Sequence, residues 1–499
     1  MADLSESEFL HLANAGYNLI PLFSTLQLDR ETPVSLYQRL GDSAIFLLES
    51  ASLGETTGRF SFIGLDRRWR VTTRDGETIV EGAMGLKDAG PLETVRALLA
   101  RYHAYQPVGL PDFLGGAVGF VAYDYVRRLE RLTREPGDDP WPDVDFSFPG
   151  ALLICDHLRH STTVVVNAEI DDDDAASAYA RAATRLDELE ASLLGPGPAV
   201  DPRVERLVAT APHTWHDVDV RALAAGLSNF TAEGYADVVE AARAHIRVGD
   251  IFQVVPSQQF RRPTKVEPLT LYRVLRALNP SPYMYLLDTG DSHIVGASPE
   301  MLVRVVDGVV STRPIAGTRP RGANEAEDLA LEREVLSDDK EIAEHVMLVD
   351  LGRNDVGRVA EVGTVSVERL AHVERFSHLM HLVSQVSGRL REGLDAFDAF
   401  NALFPAGTLT GAPKVRAMEL IDEFEPVRRG PYGGAVGYFA LSGNADFAIT
   451  IRTLSLRHGM ATVQAGGGVV ADSKADLEYA ECINKASAPL LALQIADPF

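Results

Sequence analysis

Two stretches that alternate apolar and polar side chains about an Asp-Gly pair constrain this chain more than any other feature. VTTRDGETIVEG at 71–82 turns at Asp75-Gly76, and LVRVVDGVVST at 302–312 turns at Asp307-Gly308. Alternation around Asp-Gly predicts a β-hairpin, because both turn residues accept positive φ and period two gives each strand a buried face. Further strand-like runs are AIFLLES at 44–50, GAVGYFAL, FAITIRTLSL and ATVQAG, and DIFQVVPSQQF reads as a buried strand. GGAVGF at 115–120 returns almost unchanged as GGAVGY at 433–438, which hints at two related half-structures.

Helices are interspersed. PLETVRALLARYH at 91–103 carries apolar positions at helical spacing behind a proline. The acidic run Asp171 to Asp174 suits the N-terminus of a helix over AASAYARAATRLDELEASLL that ends before GPGP at 195–198. Thr231 caps a helix through Arg247 that Gly249 stops. This mixture favours an α+β sandwich with antiparallel sheets over a doubly wound βαβ fold. The expected division is an N-terminal region 1–195, a Pro-rich acidic linker 196–229 and a second region 230–499.

The formal charge of −24 disfavours nucleic acid and anionic lipid as partners, and an anionic substrate then needs a locally positive pocket. Cys155 and Cys482 have no C-x-x-C spacing, which suggests neither a disulfide framework nor a zinc site and fits a reducing cytoplasm. The first residues lack a basic segment followed by an apolar core, so an exported or membrane-bound protein is not expected.

Glu341 and Glu344, on a helix expected to be capped by Ser337, are spaced i, i+3 and share one face. Glu478 and Glu481 repeat the spacing on a second helix, with Lys485 one turn beyond. Facing each other, the pairs would suit a hard cation such as Mg2+; acidic pairs of this kind also decorate many exposed helices. Gly466, Gly467 and Gly468 follow a strand and form either an anion nest or a plain tight turn. Arg452 places a charge in the hydrophobic run ITIRTLSL and needs an anionic partner, from substrate or a core carboxylate. Glu300 and His381 are the other candidate proton carriers.

Taken together, GASPEML, RPIAGTRPRG, KEIAEHVMLVDLGRNDVGRV, PAGTLTGAPKVRAMELI, GPYGGAVGY, ITIRT and AGGGVVADS followed by E-x-x-K resemble the chorismate-utilising enzyme family. The N-terminal FLLES and FSFIG are similar to its anthranilate synthase component I group. The resemblance implies a four-layer α/β/β/α sandwich whose N- and C-terminal regions interlock, the linker becoming an excursion. It implies that Glu344 and Glu481 bind Mg2+, with Glu341 and Glu478 acting through its waters, and that the metal grips the ring carboxylate of chorismate. Gly466 to Gly468 and Lys485 are implied to hold that carboxylate, Tyr432 and Arg452 the enolpyruvyl carboxylate, and Gly317, Thr318 and Thr410 are implied to line the pocket.

The implied chemistry is amination at C2 followed by loss of pyruvate, with Glu300 as the acid for the departing hydroxyl and His381 handling a proton in the elimination. A carboxylic acid does this near neutral pH only if its pKa is raised, which burial beside other carboxylates would achieve. Gln253 occupies the catalytic position where relatives that add water carry a lysine, and Ala316 stands in PIAGT where aminodeoxychorismate synthases typically show a nucleophilic lysine. Both departures favour direct attack by ammonia, with an aminodeoxychorismate synthase, or a tryptophan-binding regulator without catalysis, as alternatives. No G-x-C-x-G nucleophile elbow surrounds either cysteine, so a glutamine amidotransferase subunit is expected to supply ammonia. The elements LLES and NPSPYM imply a tryptophan inhibitor site at Glu49, Ser50, Pro282, Tyr283 and Met284.

Overall fold

Both Asp-Gly pairs turn hairpins. Strand Phe60–Arg74 meets Glu77–Glu81 with Arg74 opposite Glu77, and Met301–Val306 meets Val309–Thr312 with Val306 opposite Val309. The turn residues have φ of 52° and 80° at Asp75 and Gly76, and 50° and 75° at Asp307 and Gly308, the two-residue geometry that suits twisted antiparallel strands. The computed structural model describes residues 3–51, 58–82, 89–132, 141–171, 174–214, 218–322, 324–375 and 379–497.

Among these, nineteen strands join one hydrogen-bonded network that branches at the long strand Val144–Asp156. One branch passes through Phe60–Arg74, Ala44–Glu49, Tyr283–Asp288, Ser292–Ser298, Thr453–Arg457 and Met460–Gly466 to Ser257–Pro263. The other passes through Gly116–Val121, Ala435–Ala440, Ala445–Ile449 and Met301–Val306 to the strands around Leu379–Arg389. Every pairing between these strands is antiparallel, and each branch crosses once from N-terminal to C-terminal strands, at Ala44–Glu49 with Tyr283–Asp288 and at Gly116–Val121 with Ala435–Ala440.

Strands with two buried faces separate the layers. Tyr285 and Leu287 point into a core shared with Phe46, Phe120, Leu152, Ile294 and Val436, between the sheets. Met284 and Leu286, on the opposite face, join the core beneath helices Ala175–Leu194, Ala232–Arg247, Pro268–Leu278 and Ala475–Ala496. A third core lies under Pro91–Leu99, Asp339–Gly357 and Ala396–Leu403. Three apolar cores between four layers make the α/β/β/α sandwich, an α+β fold with antiparallel sheets.

Several local expectations are corrected. GGAVGF and GGAVGY form neighbouring strands: Gly119 lies opposite Gly437, sewing the N- and C-terminal regions together. A Cβ at these glycines would come within 1.9 Å of the Asp145 carbonyl and 2.0 Å of the Asp446 carbonyl. DIFQVVPSQQF is two strands, Gln253–Val254 and Ser257–Pro263, interrupted at Pro256, which has no N–H to donate. The helix expected over 91–103 ends at Leu99, and the cap of Asp339–Gly357 is Asp338, with Ser337 instead ending the preceding helix. Segment 196–229 contains helices Pro202–Thr210 and Val220–Ala225, each started by an aspartate cap, Asp201 and Asp219. Cys155 and Cys482 are free and buried, their thiols pushed up to about 12 by burial. Among the described residues no helix is long and apolar enough to cross a membrane.

Candidate active site

FAITIRTLSL breaks after Ile449 and resumes at Thr453, and Arg452 sits in the break with a φ of 53°. The sequence placed Arg452 inside a strand; the structure puts it at a kink whose side chain borders a cavity of about 540 Å³. Ser298 fastens this kink by donating to the Ile449 carbonyl at 2.6 Å, and Glu300 follows at the end of the same segment. Among the described residues Arg452 makes no ion pair, and burial depresses its pKa below the ordinary arginine value. An enclosed cation without a counter-ion is costly, and an anion in the cavity would relieve that cost.

Glu300 borders the same cavity and accepts a hydrogen bond from the Thr408 hydroxyl at 3.0 Å. Burial pushes its carboxyl up to about 7, against Thr408 and the charge of Lys485. The direction is the expected one and the cause differs: apolar enclosure, not neighbouring carboxylates, raises it. His381, opposite Thr318 across two strands, is driven down to about 4 by burial and then by Arg452, so its imidazole is neutral at neutral pH. Gly317, with a φ of 56°, lies at the irregularity between Ala316 and Thr318, and both Ala316 and Gly317 line the cavity.

The two acidic helices meet across this space. Glu341, Glu344, Glu478 and Glu481 all line it, and the Glu344 pKa is raised by burial, then by Glu341 and, across the gap, by Glu481. Burial also raises Glu478, whose Oε2 is buried without a hydrogen-bond partner among the described residues. Lys485 bridges Glu481 at 2.8 Å and donates to the Gly466 carbonyl at 3.2 Å, while Arg319 holds Glu341 at 3.2 Å. Among the described residues no three metal-ligating side chains close into one cluster. The donor set still has the chemistry of a hard-cation site: oxygen ligands only, two carboxylates raised by burial, and one orphaned buried oxygen.

The glycine run is dictated by close approach. A Cβ would lie 2.5 Å from the Pro256 carbonyl at Gly466, 3.0 Å from Glu478 Oε2 at Gly467, and 2.5 Å from Gln253 Nε2 at Gly468. These glycines let the strand end pass between the Gln253 wall and the acidic helix. Tyr432 is buried against the Arg429 guanidinium, 5.5 Å from its ring centre, and reaches the cavity beside Gly466.

A second cavity, of about 320 Å³, lies where Ala44–Glu49 pairs with Tyr283–Asp288. Glu49, Ser50, Pro282, Tyr283 and Met284 all line it, with Tyr285, Phe113, Tyr438, Arg304 and Asp446. Tyr283 donates to Asp446 at 3.1 Å, and burial pushes Asp446 up to about 6. The Glu49 carboxylate is turned away to Tyr272 and to Arg276, 3.1 Å from its Nε. Glu49 therefore braces the cavity wall, and Asp112, Asp446, Arg59, Arg304 and Arg313 are the other charged residues that line it.

Compared with known proteins, the chain matches the family model described as chorismate binding enzyme over residues 44–491. It is 48% identical to anthranilate synthase component 1 of Pseudomonas aeruginosa over 99% of each chain, and 45% identical to that of Acetivibrio thermocellus over 96% of each. The chain belongs to the chorismate-binding enzyme family. Anthranilate synthase component I from Streptococcus pneumoniae TIGR4 superposes with a TM-score of 0.74 at 36% identity, covering 93% of this chain and 98% of that one.

Within this chorismate-binding fold, Glu300, His381, Gln253, Gly317, Tyr432, Arg452, Gly466, Gly468 and Lys485 surround one cavity with the four glutamates. Gly467 stands just behind, against Glu478. Thr410 departs from expectation: it is fully buried, its hydroxyl donates to the Ala406 carbonyl at 3.1 Å, and Thr408 faces the cavity instead. The side chain of Thr318 lies outside the described residues. Sequence reasoning missed Thr408, Lys340, Gln464 and Ser473 on the first cavity and Asp446, Arg304 and Tyr438 on the second. The string GTLT offers no signal as to which threonine points inward.

Proposed function

We propose that this chain is the synthase component of anthranilate synthase, a lyase that aminates chorismate and expels pyruvate, fed with ammonia by a glutamine amidotransferase partner and inhibited by tryptophan. The observation that carries the reading is a cavity where an unpaired Arg452, a Glu300 raised to about 7 and two facing glutamate pairs meet, with Gln253 and Ala316 at the positions that would otherwise offer a lysine.

Chorismate is a dicarboxylate. Arg452 and Tyr432 receive its enolpyruvyl carboxylate, and the amides of Gly466 to Gly468 with Lys485 receive the ring carboxylate. Glu344 and Glu481, supported by Glu341 and Glu478, are the residues that would hold Mg2+, which when bound supplies charge neutralisation and orientation of that carboxylate without redox chemistry. Ammonia forms a bond to C2 as the ring double bonds shift and the C4–O bond breaks. Glu300 gives its proton to the departing hydroxyl, which leaves as water. The neutral His381 then accepts a proton during the elimination that releases pyruvate and aromatises the ring; an imidazole driven down to about 4 is present in that accepting form at neutral pH. The methyl of Ala316 and the amide of Gln253 offer neither a covalent nucleophile nor a base for water. In the second cavity, Pro282, Met284 and Tyr283 suit an indole, with Ser50, Asp446 and Arg304 meeting the amino-acid end.

The purified chain, given chorismate, Mg2+ and ammonium, should release fluorescent anthranilate, and tryptophan should suppress it. Glutamine should replace ammonium only after a glutaminase subunit is added. Formation of isochorismate or 4-amino-4-deoxychorismate, or efficient use of glutamine by the chain alone, would reject this assignment.

A further inference from the structure

Tyr285, Gly296 and Thr453 stand side by side on three neighbouring strands: Tyr285 pairs with Gly296, and Gly296 with Thr453. The Tyr285 ring lies across the middle strand, and its hydroxyl meets the Thr453 hydroxyl at 2.8 Å. Only glycine permits this crossing, since a Cβ at Gly296 would lie 2.3 Å from the ring and 2.7 Å from Thr453 Oγ1. The Thr453 hydroxyl in turn donates to the Ile451 carbonyl at 2.8 Å, across Arg452. Tyr285 therefore donates to Thr453 and Thr453 to Ile451, giving a continuous two-bond chain.

The ends of this chain lie in different places. Tyr285 lines the second cavity, whereas Ile451 and Arg452 line the first, and Thr453 borders neither. The link ends on the Ile451 carbonyl, next to Arg452, a non-glycine held at positive φ that persists only where its surroundings fix it. Beside Ile451 in sequence, the Thr450 hydroxyl is fully buried and has no hydrogen-bond partner among the described residues. A hydrogen-bonded chain of this kind holds or breaks with the position of the Tyr285 ring, so it can couple the two cavities.

We infer that the Tyr285–Thr453 hydroxyl pair positions Arg452 for the substrate carboxylate and transmits occupancy of the second cavity to it. The inference rests on the proposed reading of that cavity as the tryptophan site and specifies how its occupancy reaches chorismate. A ligand that shifts the Tyr285 ring removes the brace from Thr453, and Arg452 loses its alignment. The coupling is reciprocal, so chorismate weakens tryptophan by the same factor.

The test uses the full chain, with tryptophan affinity measured by calorimetry without chorismate and the chorismate KM measured with and without saturating tryptophan. In wild type the KM ratio should be on the order of 5- to 150-fold, the usual range for such couplings. Thr453→Val keeps the shape and removes the hydroxyl; it should still bind tryptophan while the ratio falls toward one, and Thr453→Ser should restore it. Tyr285→Phe interrupts the same chain from the other end and serves if Thr453→Val does not fold. A residue that only supported the fold would lower stability or kcat and leave the ratio alone. Variants that bind tryptophan and retain the wild-type ratio would overturn the inference while leaving the tryptophan site standing. A wild type that binds no tryptophan would overturn the reading of the cavity, and the inference with it.

Discussion

Replacing Glu300 by glutamine should remove activity and, above neutral pH, stabilise the protein. Enclosure raises this carboxyl from its ordinary 4.5 to about 7. A group whose folded pKa lies above its unfolded value holds its proton more tightly when folded. Its contribution is therefore fully present below the ordinary carboxyl range and is lost as pH rises through 7. The loss amounts to about 3 kcal/mol at pH 8 and about 1 kcal/mol at pH 5.5. Glutamine resembles the protonated acid and escapes this loss, so urea unfolding of Glu300→Gln against wild type should show a gain that grows across this interval and vanishes near pH 4. The same titration predicts that wild-type kcat/KM, at fixed free ammonia, falls about fivefold from pH 7 to 8 and about tenfold from pH 8 to 9. His381, held near 4, adds no inflection in this range. Loss of the acid should cost about 10² to 10⁴ in kcat. A kcat/KM profile flat from pH 6 to 9, or a stability gain equal at pH 5 and 8, would refute an enclosed, protonated Glu300.

Other expectations follow from the same geometry. Glu481 is half exposed and Lys485 its close partner, so Glu481→Gln should leave the melting temperature unchanged while the Mg2+ concentration for half-maximal turnover rises at least about tenfold; full activity at low Mg2+ would remove Glu481 from the metal shell. Gly466→Ala drives a Cβ to 2.5 Å from the immobile Pro256 carbonyl and should raise the chorismate KM, read by steady-state kinetics, with an unaltered KM rejecting the glycine site. Ser50→Phe should fill the second cavity, so that turnover continues while the tryptophan inhibition curve moves to higher concentration; an unmoved curve would place the inhibitor elsewhere.

The hairpins, the acidic helices, the acidic start of Ala175–Leu194 and the helix cap at Thr231 were legible because each depends on residues within one turn or one pleat. What decides the site is less local. Nothing in ITIRT announces that the strand breaks at Arg452, since the break is held by Ser298, distant in sequence, on the Ile449 carbonyl and by the Thr453 side chain turning back to the Ile451 carbonyl. Thr408 and Thr410 are equivalent in sequence, and a single turn around Gly407 and Leu409 decides that one faces Glu300 and the other the Ala406 carbonyl. The helices within 196–229 were hidden by composition: Pro202 and the capping aspartates read as linker chemistry until the packing of Pro202–Thr210 on Pro268–Leu278 gives them a purpose.

The costs gathered in the first cavity share one direction of relief. Arg452 is enclosed, unpaired among the described residues and held at a φ of 53°, a backbone state that costs on the order of 1–3 kcal/mol. Glu344 and Glu478 are raised by burial, and Glu478 Oε2 has no hydrogen-bond partner among the described residues. A dianionic ligand relieves the arginine and a hard cation relieves the carboxylates, and neither alone relieves both. Placed together, the ligand's second carboxylate and the cation would neutralise each other between the acidic helices, so each would improve the site for the other. In a chain of net charge −24 such a pairing would let an anion settle among glutamates, because the repulsion it would meet there would be cancelled locally and not by the surface.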